Sequence, residues 1–173
     1  MSDTAPDVAA RRWRDALASL AIPPEIVAAA PRSPWSFPVE VFVARAERSA
    51  QQLTVSILRA REALPDGGTV LDVGSGAGAA SLPLAPPAAR IVAVDLSREL
   101  LEAFARIAET RGIAHEEIVG AWPDVADATP AADVVVCDHV VYNVPDLAAF
   151  ARALDAHARR RVVVDLSEEH PLA

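Results

Sequence analysis

Five short segments rich in valine and other apolar residues alternate with helical segments over residues 69–166. Nearly continuous apolar strands joined by helices are typical of a parallel sheet that is covered on both faces. The pattern therefore predicts an α/β fold with a doubly wound, mostly parallel sheet. The predicted strands are TVLDVG (69–74), ARIVAVDLS (89–97), EEIVG (116–120), ADVVVCDHV (132–140) and RVVVDL (161–166), and the predicted helices between them span 79–85, 98–111 and 146–157.

The first third of the chain has a helical period instead. Apolar residues recur every three or four positions over 8–22 and again over 39–64, where we expect one long amphipathic helix. A proline-rich link separates the two segments. We assign residues 1–66 to an N-terminal helical cap and residues 67–173 to a cofactor-binding α/β core, which together form one compact unit.

Composition limits the classes of function. The chain has 173 residues, which suffice for one domain with a real core, and no apolar run reaches the roughly 18–20 residues of a membrane span. A secretory signal peptide begins with basic residues and continues with apolar ones, whereas the N-terminus of this chain is polar. We therefore expect a cytoplasmic protein without a membrane partner. The net charge is −8 and no basic stripe is present, which argues against a nucleic-acid partner. The chain has no lysine, which excludes Schiff-base chemistry.

Polar and glycine residues follow the predicted strands, where parallel sheets bind their ligands. The turn Gly74-Ser75-Gly76-Ala77-Gly78 would bring the backbone close to a ligand. Asp95 ends the second strand, where a carboxylate can accept both hydroxyls of a ribose. NAD and S-adenosylmethionine (SAM) both contain a ribose, so these residues leave the choice of cofactor open.

Asp72 favours one of the two cofactors. It lies in the strand that leads into the glycine turn, where a pyrophosphate would be repelled by about 3 kcal/mol per unit charge at roughly 6 Å. The ammonium and sulfonium of SAM would be attracted, and its carboxylate could lie at the N-terminus of the following helix. The alternative is that backbone donors of the turn hold Asp72. The sign of the charge favours SAM.

The segments VLDVGSGAG, VAVDLS and ADVVVCDHVVYNVPDL together resemble motifs of the class I SAM-dependent methyltransferases, and the resemblance covers residues 67–166. It implies a Rossmann-like core that binds SAM and releases S-adenosylhomocysteine. It places the glycines beside the methionine part, Asp72 at the amino group, Asp95 at the ribose and Leu96 at the adenine face. The residues assigned to cofactor binding are Asp72, Gly74, Ser75, Gly76, Gly78, Asp95, Leu96, Ala121, Trp122 and Asp138.

Two features depart from the family pattern. Ala121 stands where many members have an acidic residue for the adenine amino group. Trp122 could stack on the adenine, Asp124 could substitute for the acid, or Trp122 could be a core anchor. The chain also ends soon after the fifth strand, without room for the final antiparallel pair of the family. We therefore expect a C-terminally shortened member, whose sheet edge the N-terminal helices, a homodimer partner or a missing segment would cover.

Methyl transfer from a sulfonium is an in-line displacement that depends mainly on positioning the acceptor, with a base where a proton must leave. The candidates after the fourth strand are His139, Tyr142 and Asn143, of which His139 is either a general base or a hydrogen-bonded loop residue. No spacing of His, Asp and Glu indicates a metal site, so we expect no metal. A pocket for an unidentified small-molecule acceptor would be lined by Trp35, Phe37, Phe42 and Arg45.

Two other functions stay open. One is a methyltransferase-like binding or partner protein without turnover. The other is an NAD(P)-dependent oxidoreductase, although a chain without lysine cannot supply a Tyr-x-x-x-Lys pair.

Overall fold

A computed structural model of the chain describes residues 5–29 and 38–167. The α-helices are α1 (Ala5–Ser19), α2 (Pro24–Ala29), α3 (Val39–Ser49), α4 (Val55–Ala63), α5 (Arg98–Thr110) and α6 (Leu147–His157). The strands are β1 (Thr69–Val73), β2 (Arg90–Asp95), β3 (Ala114–Val119), β4 (Ala132–Asp138) and β5 (Ala158–Asp165). One-turn 3-10 helices lie at Leu82–Leu84, Ala126–Ala128 and Val141–Asn143.

The strands of the described residues form one sheet in the order β3-β2-β1-β4-β5, and every pair is parallel. The order reverses at β1, which pairs with β2 on one side and with β4 on the other. The loops that leave β1 and β4 therefore separate, which opens a crevice at the carboxyl ends of these strands. This topology confirms the predicted α/β fold with a doubly wound sheet. Within the described ranges no antiparallel pair follows β5.

Alternate residues of the strands pack on opposite faces of the sheet. Val70 and Val136 belong to a core with α3, α4 and α5, in which Phe104 is fully buried. Leu71 belongs to a second core with α6, which contributes Phe150. Both faces are thus covered, as apolar strands of a parallel sheet require.

The predicted long helix over 39–64 is wrong, because the chain forms two helices, α3 and α4. Thr54 has an extended backbone, and its Oγ1 accepts a hydrogen bond from the Ile57 amide at 3.3 Å. A threonine in this position caps the start of a new helix. The apolar residues keep a helical spacing across the break, so the period alone did not reveal it.

The predicted helix over 79–85 is also wrong, since only Leu82–Leu84 form a single 3-10 turn. Pro83 has no amide hydrogen, and Pro86 and Pro87 follow it closely. These prolines prevent the hydrogen bonds that a longer helix needs. The helices predicted over 98–111 and 146–157 are confirmed, and Ser97 and Asp146 cap them.

β5 begins three residues earlier than the predicted strand, directly after α6. Arg159 and Arg160 therefore lie inside the strand, and the Arg159 guanidinium donates to the Ala131 carbonyl at 2.7 Å. A homodimer that covers the free side of β5 stays a prediction. Among the described residues, no helix combines the length and the apolar character needed to cross a bilayer.

Candidate active site

A cleft lies at the carboxyl ends of β1 and β4, under the N-terminal helices. Three parts of the chain line it: the two strand ends, the glycine loop after β1, and the α3–α4 region. The lining residues are Asp72 and Asp138, then Gly74, Ser75, Gly76, Ala77, Ala79 and Ala80, and then Phe42, Arg45, Ser49, Thr54 and Ile57. The structure thus brings the glycine loop, Asp72 and Asp138 together, as the sequence predicts.

The glycine loop has no room for side chains at its critical positions. Gly74 has φ +72°, and a Cβ there would lie 2.2 Å from Cγ2 of Val140. Gly76 has φ +53°, and a Cβ there would lie 2.8 Å from the Phe42 ring. Both positions need glycine for the backbone angle and for space. The loop is tied to β2 because the Gly74 amide donates to the Val94 carbonyl at 2.8 Å.

Asp95 holds the loop from the side of β2. Its Oδ2 accepts a hydrogen bond from the Gly76 amide, and its Oδ1 accepts one from the Ser97 amide, both at 2.8 Å. Each carboxylate oxygen keeps a second lone pair, so Asp95 can still accept a hydroxyl. The neighbouring Leu96 is 74% exposed, which is unusual for a leucine beside a cleft and leaves an apolar surface free. The ribose and adenine roles of these two residues stay predictions.

Asp72 is only 1% exposed and accepts a hydrogen bond from the Ser81 hydroxyl at 2.5 Å. Its partner is therefore a side chain of the loop rather than the backbone donors that the sequence suggested as an alternative. Burial, together with the charges of Asp138 and Asp95, raises the pKa of Asp72 to about 8. The hydrogen bond from Ser81 opposes this shift.

Asp138 ends β4 on the other side of the cleft. Its Oδ1 is buried and has no hydrogen-bond partner among the described residues. Burial raises the pKa of Asp138 to about 6, with a contribution from the charge of Asp165, while Arg45 and Ser56 oppose the shift. Two carboxylates with raised pKa values thus line one cleft, and one has an oxygen without a partner.

The loop after β4 carries the catalytic candidates. His139 has φ +59°, a conformation that few residues other than glycine adopt, and its amide donates to the Asp165 carbonyl at 2.8 Å. Its ring stacks on Tyr142 with the centroids 6.2 Å apart. Tyr142 is buried, and its hydroxyl lies 2.9 Å from Oγ of Ser167, whereas Asn143 is exposed. Tyr142 therefore contacts His139 through its ring and through its hydroxyl, which lies 3.4 Å from Nδ1 of His139.

Trp122 packs against the core that α6 covers. Its ring and that of His157 meet edge to face, with the ring centroids 4.8 Å apart. Its indole nitrogen is buried without a partner among the described residues. The connection from β3 to β4 contains a one-turn helix, and Trp122 lies in this connection and packs against the core. Adenine contacts by Trp122 and Ala121 stay predictions.

Of the N-terminal helices, α3 and α4 contribute residues to the cleft. The Phe42 ring of α3 lies against Gly76, and Arg45 lines the same cleft one turn later. The Trp13 indole of α1 donates to the Val144 carbonyl at 2.7 Å, which attaches α1 to the loop after β4. Trp35 and Phe37, the other residues of the predicted acceptor pocket, lie outside the described residues.

Sequence reasoning missed several polar residues of the cleft. Ser81 is nine positions from Asp72 and reaches it only because the chain turns back after the glycine loop. Ser49 and Thr54 were missed because both lie within the long helix that the sequence predicted over 39–64. A serine or threonine that interrupts an apolar helical period is a possible capping signal, and it could have located Thr54. In the described ranges no group of three His, Cys, Asp or Glu side chains could hold a metal ion.

The sequence matches a protein family described as a methyltransferase domain over residues 45–169. A curated relative, an uncharacterized protein of Haemophilus influenzae, is 32% identical over 103 residues, which are 58% of this chain and 38% of the relative. The chain thus spans less than two fifths of the length of that relative.

Solved structures share the fold. Precorrin 8w decarboxylase of Methanobacterium thermoautotrophicum has a TM-score of 0.53 at 20% identity, over 76% of this chain and 64% of that one. Magnesium protoporphyrin IX methyltransferase of Synechocystis, solved with bound SAM, has a TM-score of 0.51 at 17% identity, over 80% of this chain and 65% of that one. The family match, which covers the glycine loop and every strand, carries the assignment. The chain belongs to this methyltransferase-domain family and has the Rossmann-like fold of the solved structures that it resembles.

Proposed function

We propose that this chain binds SAM and transfers its methyl group to a small-molecule acceptor by in-line displacement. The observation that carries this proposal is the pair of carboxylates in the cleft beside the glycine loop, the buried Asp72 and the partly buried Asp138. Burying charged carboxylates is costly unless a cation compensates them. A ligand that brings an ammonium and a sulfonium to this position fits the unpartnered Oδ1 of Asp138.

The residues of the cleft fit the parts of this cofactor. The turn from Gly74 to Gly78 would hold the methionine part, with Asp72 and Asp138 facing its positive charges. Asp95 would hold the ribose hydroxyls, and the exposed Leu96 would cover one adenine face. When bound, SAM supplies a methyl group that is already activated by its sulfonium. The chain therefore contributes binding, orientation and exclusion of water.

The acceptor would approach from the loop after β4, where α1 is attached through Trp13. His139 is the base that we propose for an acceptor with a hydroxyl or amine proton, because Tyr142 supports its ring and the backbone of β5 holds its amide. Asn143 is exposed on the same loop and would orient the acceptor. The net charge of −8 favours a small molecule over a nucleic acid.

The two other functions differ in what they require. An NAD(P)-dependent oxidoreductase needs a pyrophosphate beside the glycine loop, where Asp72 and Asp138 would repel it. A binding protein without turnover would use the same cleft, so only a turnover measurement separates it from a methyltransferase.

Calorimetric titration at pH 8 with SAM, S-adenosylhomocysteine and NAD tests the cofactor. We expect both sulfur compounds to bind and NAD to give no heat. Asp95→Ala should weaken SAM by about 10-fold or more, because a charge-assisted hydrogen bond is lost. Binding of NAD, or no heat with either sulfur compound, would contradict the proposal.

Turnover is tested with SAM that carries a radioactive methyl group, together with an extract separated into small molecules, proteins and nucleic acids. Label in the small-molecule fraction is the expected result. Label confined to a macromolecular fraction contradicts the acceptor class, and binding without label in any fraction supports the binding-protein alternative.

A further inference from the structure

The cleft has charges of opposite sign on its two sides. Asp72 and Asp138 contribute carboxylates from the sheet, and Arg45 contributes a guanidinium from α3. The charge of Arg45 lowers the pKa of Asp138 against the effect of burial, so the two groups interact through space. They form no direct ion pair, and the Asp138 Oδ1 stays without a hydrogen-bond partner among the described residues.

Arg45 is directed to the cleft by the way α3 packs. Phe42, Arg45 and Ser49 all line the cleft, and their spacing of three and four residues places them on one face of the helix. The Phe42 ring lies against Gly76 and fixes this face on the glycine loop. Ala46, on the adjoining side of the helix, is fully buried in the core. Arg48 lies in the last turn of α3 and does not line the cleft.

The usual place for a ligand carboxylate is missing beside this loop. A helix that starts after the glycines would offer free amides and a positive dipole end. Here the loop leads only to the 3-10 turn at Leu82–Leu84, and a single turn sums too few peptide dipoles for this purpose. Asp72 and Asp138 would repel a carboxylate. Arg45 is the cationic side chain among the described residues that line the cleft.

We infer that Arg45 binds the α-carboxylate of the methionine part of SAM, and that the cleft thereby recognises the complete zwitterionic amino acid. The inference rests on the proposed function and deepens it. A guanidinium presents parallel N–H donors that match the two oxygens of a carboxylate. The two aspartates then face the ammonium and the sulfonium, so each charge of the cofactor meets the opposite charge.

The test compares SAM with its decarboxylated form, which keeps the sulfonium, the amine and the nucleoside and lacks only the carboxylate. Dissociation constants are measured by calorimetry for the wild type, Arg45→Gln, Arg45→Lys and Arg48→Gln. Arg48→Gln removes the same charge from the same helix outside the cleft. Chemical denaturation of each variant checks that the fold is retained, which is expected because Arg45 is exposed.

Arg45→Gln should weaken SAM and S-adenosylhomocysteine by about 10- to 100-fold, as the loss of a charge-assisted bidentate pair predicts. The same variant should leave the decarboxylated form within about 2-fold of wild type or bind it more tightly, since one repulsive charge is gone. Arg45→Lys should recover part of the loss, and Arg48→Gln should behave as wild type.

Equal weakening of both compounds by Arg45→Gln would overturn the inference, because Arg45 would then act on the shape of the cleft. Unchanged or tighter binding of SAM would overturn it as well. If the wild type itself binds neither SAM nor S-adenosylhomocysteine, the proposed function fails and the inference fails with it. If the wild type binds both compounds but Arg45→Gln gives one of the contradicting results, only the inference fails.

Discussion

The two ends of the glycine loop differ in packing and in how their polar groups are hydrogen-bonded. At the end near β4, Asp72 is buried, Asp138 is partly buried, and both have raised pKa values; Phe42 and Arg45 of α3 line the same cleft. At the end near β2, Asp95 already accepts two backbone hydrogen bonds, and Leu96 is exposed. The first end is crowded, and Oδ1 of Asp138 has no hydrogen-bond partner among the described residues. The second end is open and its polar groups are satisfied.

This difference indicates how the two ends would divide the work of binding. A carboxylate oxygen that lacks a partner in the free protein gains most from a ligand of the opposite charge, so the β4 end would select cofactors that carry positive charges. A satisfied carboxylate and an exposed leucine change little on binding, so the β2 end would mainly position the nucleoside.

A side chain at Gly74 should damage the crowded end severely. Gly74→Ala places a Cβ 2.2 Å from Val140, whereas Gly67→Ala has an almost equal φ of +74° and meets nothing within 4 Å. Both variants suffer backbone strain of about 1–2 kcal/mol, and Gly74→Ala should lose about 2 kcal/mol more from overpacking. Urea denaturation measures the difference in the free energy of unfolding.

The double variant Gly74→Ala/Val140→Ala identifies the cause, because it removes the Val140 methyl group that a new Cβ would meet. We expect it to recover part of the extra loss relative to the two single variants. Equal destabilisation by Gly74→Ala and Gly67→Ala would show that the β4 end is not crowded.

Asp72 should make the free protein less stable as the pH rises. Its pKa in the folded state is about 8, above the unfolded value of about 3.9, so the folded state binds more protons between these values. The contribution of Asp72 is thus fully present below about pH 4 and is lost as the pH rises through 8, with a slope of at most about 1.4 kcal/mol per pH unit. Asp72→Asn should flatten the fall between pH 5.5 and 8.5 and weaken SAM, as urea denaturation and calorimetry would show.

Asp133 offers a matched control at the other end of the sheet. The backbone amide and hydroxyl of Thr69 hold the pKa of Asp133 below its usual range, so it stays ionised throughout this interval. Asp133→Asn should lower stability without changing the slope between pH 5.5 and 8.5. If Asp72→Asn and wild type show parallel profiles, Asp72 is not protonated in the free protein.

Leu96 should show the smallest effect, confined to binding. Because the side chain is 74% exposed, Leu96→Ser should change the free energy of unfolding by less than about 0.5 kcal/mol. The loss of apolar contact with the adenine should weaken SAM by about 5- to 10-fold. Leu20→Ser, at a leucine that is 53% exposed and far along the sequence from the loop, should leave the affinity unchanged. Equal affinities of the two variants would remove Leu96 from the site.

The sequence predicted most of the sheet and the place of the site, because both depend on local patterns. A valine-rich run is recognisable as a strand from its own residues. The residues that follow such strands meet at one edge of a parallel sheet, whatever the details of packing. Asp72, Gly74 and Asp138 were therefore placed together correctly. Strand order, the hydrogen bond from Ser81 to Asp72 and the contact of Val140 with Gly74 depend on contacts between distant positions, which a local pattern does not contain.

The N-terminal part was harder to predict, since a helical period gives the buried face of a helix without showing what that face packs against. The break at Thr54 kept the apolar residues in phase, so α3 and α4 were predicted as one helix. The position of Arg45 opposite Asp138 follows from this break and from the contact of Phe42 with Gly76. Neither could be derived without the three-dimensional arrangement.

The hydrogen bond from Trp13 to Val144 has an evolutionary consequence. Its acceptor is a main-chain carbonyl, which is present whatever side chain residue 144 carries. Only the indole depends on the sequence, and α1 lies before residue 45, where the family match begins. Side chains on the loop after β4 can therefore be replaced without loss of this acceptor, whereas a substitution of Trp13 removes the donor.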